Sequence, residues 1–301
     1  MIELIKKPNI DFMGKRLYAF AFSGALSILG IVAIIQIGRG AANLGIDFAG
    51  GTSVQIKFEG PTALHDIRTA LEAEGLKDFE LQDLPAINKV LIRLKGRQET
   101  EGVSEKITSA VTAKFPEKNP VIDSTTDIGP KVGGRLRTDA LIAVMAATVG
   151  ILLYIALRFK WRFSIGAIIA TAHDVLAVLG VFYVMGKEIN LILISALLMI
   201  AGYSLTDTVV VFDRIRENMR KSPREPASSV VNRSVNEVLS RTIIVSFTTF
   251  LTALALFALG GEVIHDFSLA ILMGIVVGTY SSVFIASPAV LLLGKSPIAK
   301  K

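Results

Sequence analysis

Four ionisable side chains fall within or at the edge of long, nearly charge-free stretches of this 301-residue sequence: His173, Asp174, Asp207 and Arg241. In hydrocarbon an ionisable group costs at least about 2.5–3.5 kcal/mol, so each of these positions needs a physical reason. A carboxyl group in a low-dielectric medium is shifted toward its neutral form, which allows it to take up and release protons near physiological pH. Asp207 is therefore the strongest functional candidate, and the chemistry it favours is proton transfer.

Hydroxyl side chains follow Arg241 along one predicted helical face. Thr242 and Ser246 begin this stripe, which continues with Thr249 and Thr252. A buried carboxylate opposite this stripe, with an arginine at the end where the stripe begins, could pass protons through ordered water. Serine and threonine also hold membrane helices together without any further function, and for the stripe taken alone we favour that role.

His173 and Asp174 lie near the middle of their apolar stretch and are consecutive in sequence. On a helix they point about 100° apart and cannot face one target together, which weakens a metal site built on the pair. With three histidines and no cysteine in the chain, a closed metal shell is not expected. No nucleophile with an adjacent base is evident for an intramembrane hydrolase. A structural role, in which the pair forms a polar network that locks the bundle, is as well supported as a functional one.

Six long apolar stretches must position these side chains. Hydrophobic residues make up 51% of the chain and the mean hydropathy is +0.56, which is too apolar for an ordinary soluble protein. Each stretch has about the length that a helix needs to cross a hydrocarbon core of roughly 30 Å. We predict a polytopic α-helical membrane protein with transmembrane helices at 17–37, 139–157, 164–185, 191–212, 243–259 and 267–293.

Lysine and arginine placement predicts the orientation of these spans. Basic residues concentrate in the segments 1–16, 158–162, 213–242 and 294–301, whereas the short loops on the other side hold only Lys187. Both termini are therefore expected in the cytoplasm. The formal net charge of +6 comes from these membrane-flanking segments, so we expect no nucleic-acid partner.

The segment 213–242 also contains an apolar face, formed by Val231, Val235, Val238 and Leu239. Charged residues lie on the opposite face, a pattern typical of an amphipathic helix on a membrane surface. We therefore predict a cytoplasmic loop whose helix contacts membrane lipids.

The segment 38–138 is predicted to be a folded α+β domain outside the cytoplasm. Residues 53–59 alternate with the period of a half-buried strand, and further strands are expected at 79–84, 89–95 and 121–128. Helical spacing follows Leu64 and again follows Val103. The order β-α-β-β-α-β is that of a ferredoxin-like fold. Such a domain could be a docking or spacer module, or could bind a transported chain directly.

A glycine-rich turn precedes this domain, in the run 45–52, which reads Gly-Ile-Asp-Phe-Ala-Gly-Gly-Thr. The adjacent Gly50 and Gly51 allow a backbone conformation that side chains forbid, so a sharp turn into the first strand is expected. Asp47 could bind a cation, or could close the turn through its own backbone, and we favour the turn.

Several of these motifs resemble one family. The run that begins at Gly45, the segment 206–217 (Thr-Asp-Thr-Val-Val-Val-Phe-Asp-Arg-Ile-Arg-Glu), residues 172–175 (Ala-His-Asp-Val) and residues 240–242 (Ser-Arg-Thr) are similar to signatures of the SecF branch of the SecD/SecF protein-export family. With six spans and one external domain, the resemblance covers essentially the whole chain.

The resemblance implies a subunit of the bacterial inner membrane. From the residue types present we expect that it is not an enzyme and carries no cofactor and no metal. The resemblance implies a SecD partner in a pseudo-symmetric assembly like that of the resistance-nodulation-division transporters, and association with the SecYEG channel and YajC. That assembly uses the proton motive force to assist late translocation of unfolded polypeptides into the periplasm, after the SecA motor has pushed them in.

By motif position, the resemblance also assigns roles to residues. Asp207 and Arg241, with Thr242 and Ser246, would line the proton pathway of this half, whereas His173 and Asp174 are weaker assignments. Two other functions stay open: half of a proton-coupled exporter of lipids or small molecules, and a passive assembly factor of the translocon.

Overall fold

A computed structural model of the protein describes residues 9–77, 79–84, 88–95 and 102–292. The predicted tails before residue 9 and after residue 292 therefore lie outside the described residues. The chain divides into two compact units, Leu44–Ile142 and the combination of Met1–Asn43 with Ala143–Lys301.

In chain order the described residues form α1 (Arg16–Gly38), α2 (Ile46–Ala49), β1 (Gly51–Lys57), α3 (Leu64–Ala73), β2 (Phe79–Leu84), β3 (Lys89–Lys95), α4 (Val103–Lys114), β4 (Val121–Ile128), α5 (Pro130–Arg158), α6 (Trp161–Val184), α7 (Leu191–Lys221), α8 (Ala227–Leu259), α9 (Glu262–Ser281) and α10 (Ser287–Leu292). A π-helical turn, Ser282–Ala286, joins α9 to α10.

Six helices in the described part of the chain are long and apolar enough to cross a membrane. They are α1, α5, α6, α7, α8 and the continuous run of α9 and α10. The predicted class, a polytopic α-helical membrane protein with one α+β domain, is confirmed. The second of these helices starts at Pro130, earlier than the expected span 139–157, since proline is well suited to the first helical position.

The predicted loop at 213–242 with a separate surface helix is wrong. α7 continues to Lys221, α8 begins at Ala227, and only residues 222–226 between them are non-helical. The apolar face that suggested membrane contact is buried in a core cluster of the helical unit, and includes Val231, Val235 and Leu239. The protein itself therefore supplies the apolar partner that the pattern had suggested to be lipid.

Polar contacts fasten α7 to α8 in this extended region. The Glu237 carboxylate accepts hydrogen bonds from Arg214 Nε at 2.6 Å and from Asn218 Nδ2 at 2.6 Å. Asn218 also donates to Ser234 Oγ at 3.0 Å, and both side chains are buried. Because these groups satisfy one another, the two helices can extend past the apolar stretches as a packed pair.

The segment before α1 docks against the start of α8. Asn232 Oδ1 accepts from the backbone N–H groups of Phe12 (2.9 Å) and Met13 (3.2 Å), while its Nδ2 donates to the Ile10 carbonyl (3.0 Å). Asn236, one turn later, bonds to both the N–H and the C=O of Ile10. Phe12 and Met13 are each 5% exposed, so this segment is part of the core of the helical unit.

We expect Asn232→Ala to release this segment. The change removes three hydrogen bonds and leaves backbone N–H groups beside an apolar core, at a cost of about 1–3 kcal/mol. The natural chain has no cysteine, so Met13→Cys gives a single reporter thiol. Its labelling by maleimide should accelerate roughly tenfold, the factor that corresponds to about 1.4 kcal/mol. Ser229→Ala, a change at an exposed position near the start of α8, is the control and should leave labelling unchanged.

The α+β domain is built on one four-stranded antiparallel sheet with the strand order β2-β3-β1-β4. Alternate residues of the central strands are buried, including Val54, Ile56 and Ile92. Ile67 of α3 and Ile107 of α4 are fully buried in the same cluster. The order and the antiparallel pairing are those of the predicted ferredoxin-like fold.

The glycine pair forms the expected sharp turn. Gly45 and Asp47 belong to the turn that contains α2, and Gly50 ends it with φ +72°. Gly51 has φ +136° and opens β1, where an added Cβ would collide with the carbonyl oxygen of Leu94. Glycine is therefore required at position 51 by backbone angle and by space.

Candidate intramembrane polar site

The candidate site lies in a bundle of α6, α7, α8 and α9, in which α7 packs against all three of the others. Small residues set the spacing between α7 and α9. A Cβ added at Gly278 would lie 3.1 Å from Ser204 Cβ, and one at Gly274 would collide with Ile200. This close approach allows short hydroxyl side chains on one helix to reach groups on the next.

Asp207 is half-buried on α7, facing α8. Its Oδ1 accepts a hydrogen bond from Thr242 Oγ1 at 2.9 Å, and Thr242 is 2% exposed. The other carboxyl oxygen, Oδ2, is buried and has no hydrogen-bond partner in the described part of the chain. The carboxyl group therefore has one satisfied and one unsatisfied oxygen, an arrangement that a bound proton or a water molecule can complete.

Arg241 does not meet Asp207 directly. Its side chain is exposed and forms neither a hydrogen bond nor an ion pair with any described residue. The joint role of Arg241 and Asp207 in a proton pathway stays a prediction.

The predicted hydroxyl stripe on α8 divides into two parts. Thr242 bonds to Asp207, and Ser246 accepts from Thr279 Oγ1 of α9 at 2.7 Å. Thr249 and Thr252, by contrast, bond back to carbonyl groups of their own helix. Only the first two positions therefore connect α8 with neighbouring helices.

His173 and Asp174 are deeply buried on α6, at 4% and 0% exposure. Although the expectation was that consecutive side chains diverge, His173 Nδ1 and Asp174 Oδ1 are 3.0 Å apart, because the proximal ring nitrogen reaches back to its neighbour. Asp174 Oδ2 accepts from Ser204 Oγ of α7 and from Ser281 Oγ of α9, the latter at 2.8 Å. Asp174 therefore binds three helices together.

Sequence reasoning missed the serines and threonines that complete this network. Ser204 and Ser281 bond to Asp174, and Thr208 Oγ1 lies 3.1 Å from Ser282 Oγ. Their sequence signal is the tandem Ser281-Ser282 in the last apolar stretch, and Ser204 with Thr208 one turn apart on α7. Among the described residues, no group of three or more His, Cys, Asp or Glu side chains could hold a metal ion.

Comparison with known proteins identifies the family. Residues 107–296 match the model of "Protein export membrane protein SecD/SecF, C-terminal", and residues 42–62 match that of the "SecD/SecF GG Motif". The chain belongs to the SecD/SecF family. The second match covers Asp47, Gly50 and Gly51, and the first covers all four intramembrane ionisable residues.

Similarity to SecF proteins extends over the whole chain. The chain is 57% identical to protein translocase subunit SecF of Thermodesulfovibrio yellowstonii, with 100% of both chains covered. It is 40% identical to the SecF subunit of Vibrio alginolyticus, covering 98% of this chain and 93% of that one.

A solved structure of SecDF from Thermus thermophilus is also similar. It matches with a TM-score of 0.83 and 37% identity over 95% of this chain. This chain spans only 39% of the length of that SecDF chain. A second SecDF structure, in a form described as super-membrane-facing, matches with a TM-score of 0.70 at 36% identity.

Proposed function

We propose that the chain acts as the SecF half of a SecD–SecF pair that uses the proton motive force to assist polypeptide export. The observation that carries the proposal is the half-buried Asp207 carboxyl group: one oxygen accepts from Thr242, and the other has no hydrogen-bond partner among the described residues. Membership of a protein-export family supports the transport role. A non-enzymatic role is part of the proposal.

In the proposed mechanism Asp207 takes up a proton in one step of a conformational cycle and releases it in another. Protonation removes a charge within the bundle, which weakens the electrostatic pull of Arg241 and changes what the carboxyl group can donate or accept. α7 and α8, which Asp207 and Thr242 join, then repack between two arrangements. One elementary charge moving through a potential of 100 mV supplies about 2.3 kcal/mol, enough to bias such an equilibrium.

The proposal places the chain in the bacterial inner membrane, with both termini in the cytoplasm and the α+β domain in the periplasm. SecD supplies the other half of the assembly, and SecYEG with YajC supplies the channel. The client is an unfolded polypeptide that SecA has driven into the channel, and the α+β domain acts on it as it emerges. Lipids surround the bundle, and nucleic acid has no role.

A passive assembly role is the second candidate. The observation that favours it is the Asp207–Thr242 hydrogen bond, since a polar link between α7 and α8 would also serve a subunit that only holds a complex together. The two candidates differ in whether a proton crosses the membrane.

We expect Asp207→Asn to reduce proton flux at least tenfold in proteoliposomes that hold this chain with SecD and SecYEG during export of a polypeptide. The amide keeps the size of the side chain and an acceptor for Thr242, so packing is retained while the titrating group is lost. Internal pH is followed with a fluorescent dye. Thr252→Val, on the exposed part of α8, is the matched control and should conduct like wild type. If the Asp207→Asn complex conducts protons at the wild-type rate, the proton-coupled role is contradicted and the passive assembly role is supported.

A further inference from the structure

A second carboxyl group, Asp174, lies deeper in the bundle than Asp207 and takes no part in the mechanism above. It is 0% exposed and is contacted from three helices: by His173 on its own helix, by Ser204 on α7 and by Ser281 on α9. The two serine hydroxyl groups donate to its Oδ2, whereas His173 Nδ1 donates to or accepts from Oδ1 according to the protonation state of the pair. The question is whether this group is fixed in one state or exchanges its proton.

No protonation state of the His173–Asp174 pair satisfies every polar atom. His173 Nε2 is buried and has no hydrogen-bond partner among the described residues. In an imidazolium–carboxylate pair, Nε2 is therefore an unpaired charged donor, which is costly in a buried site. In the pair of a neutral imidazole with a carboxylate, the carboxylate charge has only hydroxyl and imidazole partners. A protonated Asp174 removes the charge but leaves Nε2 unpaired. Each state leaves at least one group unsatisfied, so the contacts of the pair do not fix a single protonation state.

Few other titratable groups face the pair from the helices packed against α6. From α9, the Tyr280 ring centroid lies 6.5 Å from that of His173, and the Tyr280 hydroxyl bonds to the Ala19 carbonyl of α1 at 3.0 Å. From α7, Asp207 lies one turn beyond Ser204. α1 carries a charged residue only at its first position, Arg16, and α10 carries none. Asp207 is the acidic residue of α7 nearest in sequence to Ser204, which makes it the candidate exchange partner of Asp174.

Two consecutive hydroxyl groups lie where α9 passes into the π-helical turn: Ser281 is the last residue of α9 and Ser282 is the first residue of the turn. Ser281 points to Asp174, while its neighbour Ser282 points to Thr208, the residue next to Asp207. Thr208 Oγ1 and Ser282 Oγ are 3.1 Å apart, and either hydroxyl can be the donor. Ser287 Oγ donates to the Ser282 carbonyl at 2.8 Å. π-helical turns of this kind are frequent at functional sites.

We propose that Asp174, assisted by His173, is a second proton-binding site that exchanges protons with Asp207 through the hydroxyl groups of Ser281, Ser282 and Thr208. In the forward step the O–H bond of a protonated Asp207 breaks and one forms on Asp174. Two links of this route are present as hydrogen-bond contacts, Ser281 with Asp174 and Ser282 with Thr208. The exchange also requires Ser281 to contact Ser282 and Thr208 to contact Asp207 during the transfer, and each hydroxyl accepts one proton and donates another. Asp207 is left ionised and ready to be protonated again. The role in export rests on the proposed function, whereas proton binding at Asp174 does not.

Infrared difference spectroscopy tests proton binding directly. The full-length chain is purified with SecD, and spectra at about pH 5 and about pH 8, the range that spans physiological titration, are subtracted. In an Asp207→Asn complex we expect a pH-dependent carbonyl band from a protonated carboxyl group. When Asp174→Asn is added to the same complex, we expect this band to disappear. The proposal is overturned if the Asp207→Asn complex shows no band that the second substitution removes, or if that band does not change with pH.

A second variant keeps the test decisive if Asp174→Asn fails to assemble. Ser281→Ala removes a donor to Asp174 while leaving the carboxyl group in place, so the same band should move to higher frequency. Ser282→Ala is the matched control: it leaves the band in place but should slow proton flux severalfold in a complex with a native Asp207. A band unchanged by Ser281→Ala, or a flux unchanged by Ser282→Ala, contradicts the proposal. Failure of proton flux in the Asp207→Asn experiment above tests a different claim, so the two results remain distinguishable.

Discussion

Gly30→Leu is expected to prevent α1 from packing on α6. The backbones of these helices cross at Gly30 and Gly180, where a Cβ added at Gly180 would lie 2.5 Å from the Gly30 backbone nitrogen. A Cβ at Gly30 would collide with the Leu176 carbonyl oxygen and lie 2.7 Å from its carbon. Because the obstructing atoms are backbone, no rotamer change relieves the clash, and the cost should exceed the roughly 1–3 kcal/mol typical of overpacking.

The measurement is the thermal unfolding midpoint of the purified chain in detergent, together with its yield as a monodisperse species. Gly24→Leu is the matched control, because it lies on the same helix and an added Cβ meets no atom within 4 Å. We expect a large loss for Gly30→Leu and little change for the control. Equal behaviour of the two variants would show that close contact of α1 with α6 does not hold the bundle together.

Gly51→Ala is expected to disrupt the α+β domain. Gly51 pairs with Lys95 of β3 and with Ile128 of β4, so it lies between two neighbouring strands. A side chain there takes on the strain of φ +136°, about 1–3 kcal/mol, and also collides with the Leu94 carbonyl. The strand can escape the clash only by giving up part of its pairing with β3.

Hydrogen exchange of the full-length chain measures this effect, since the β1 and β3 amides should lose protection. Gly60→Ala separates the two causes, because Gly60 has φ +123° but an added Cβ there meets no atom within 4 Å. The control therefore includes backbone strain without the clash. If hydrogen exchange in β1 and β3 is no faster for Gly51→Ala than for Gly60→Ala, then the collision with the Leu94 carbonyl does not destabilise the sheet.

The strands of the α+β domain and the six membrane helices could be predicted because both depend on local patterns. The strands predicted at 79–84 and 89–95 are β2 and β3, at the same residues in the structure. The pair Gly50-Gly51 indicates a turn on backbone grounds alone. Asp207 and Asp174 stand out because charge is rare in apolar stretches.

Features that depend on packing between distant segments could not be predicted in this way. The face containing Val231 and Val235 is equally compatible with lipid and with protein, and it is buried by residues distant in sequence that share its core cluster, among them Phe12 and Phe212. Ser281 and Ser282 are ordinary residues of an apolar helix until Asp174 and Thr208 are brought beside them. Sequence spacing also gave no sign that Arg241 would lie outside direct contact with Asp207.

The most direct test of proton-coupled export is the transport of a model preprotein into inverted membrane vesicles that carry this chain with SecD. Wild type and Asp207→Asn are compared with and without a proton gradient, with Thr252→Val as the control. The account predicts that the Asp207→Asn complex assembles normally and loses only the gradient-dependent part of export. Export at the wild-type level under a gradient by that variant would contradict it and would make Asp207 a structural residue.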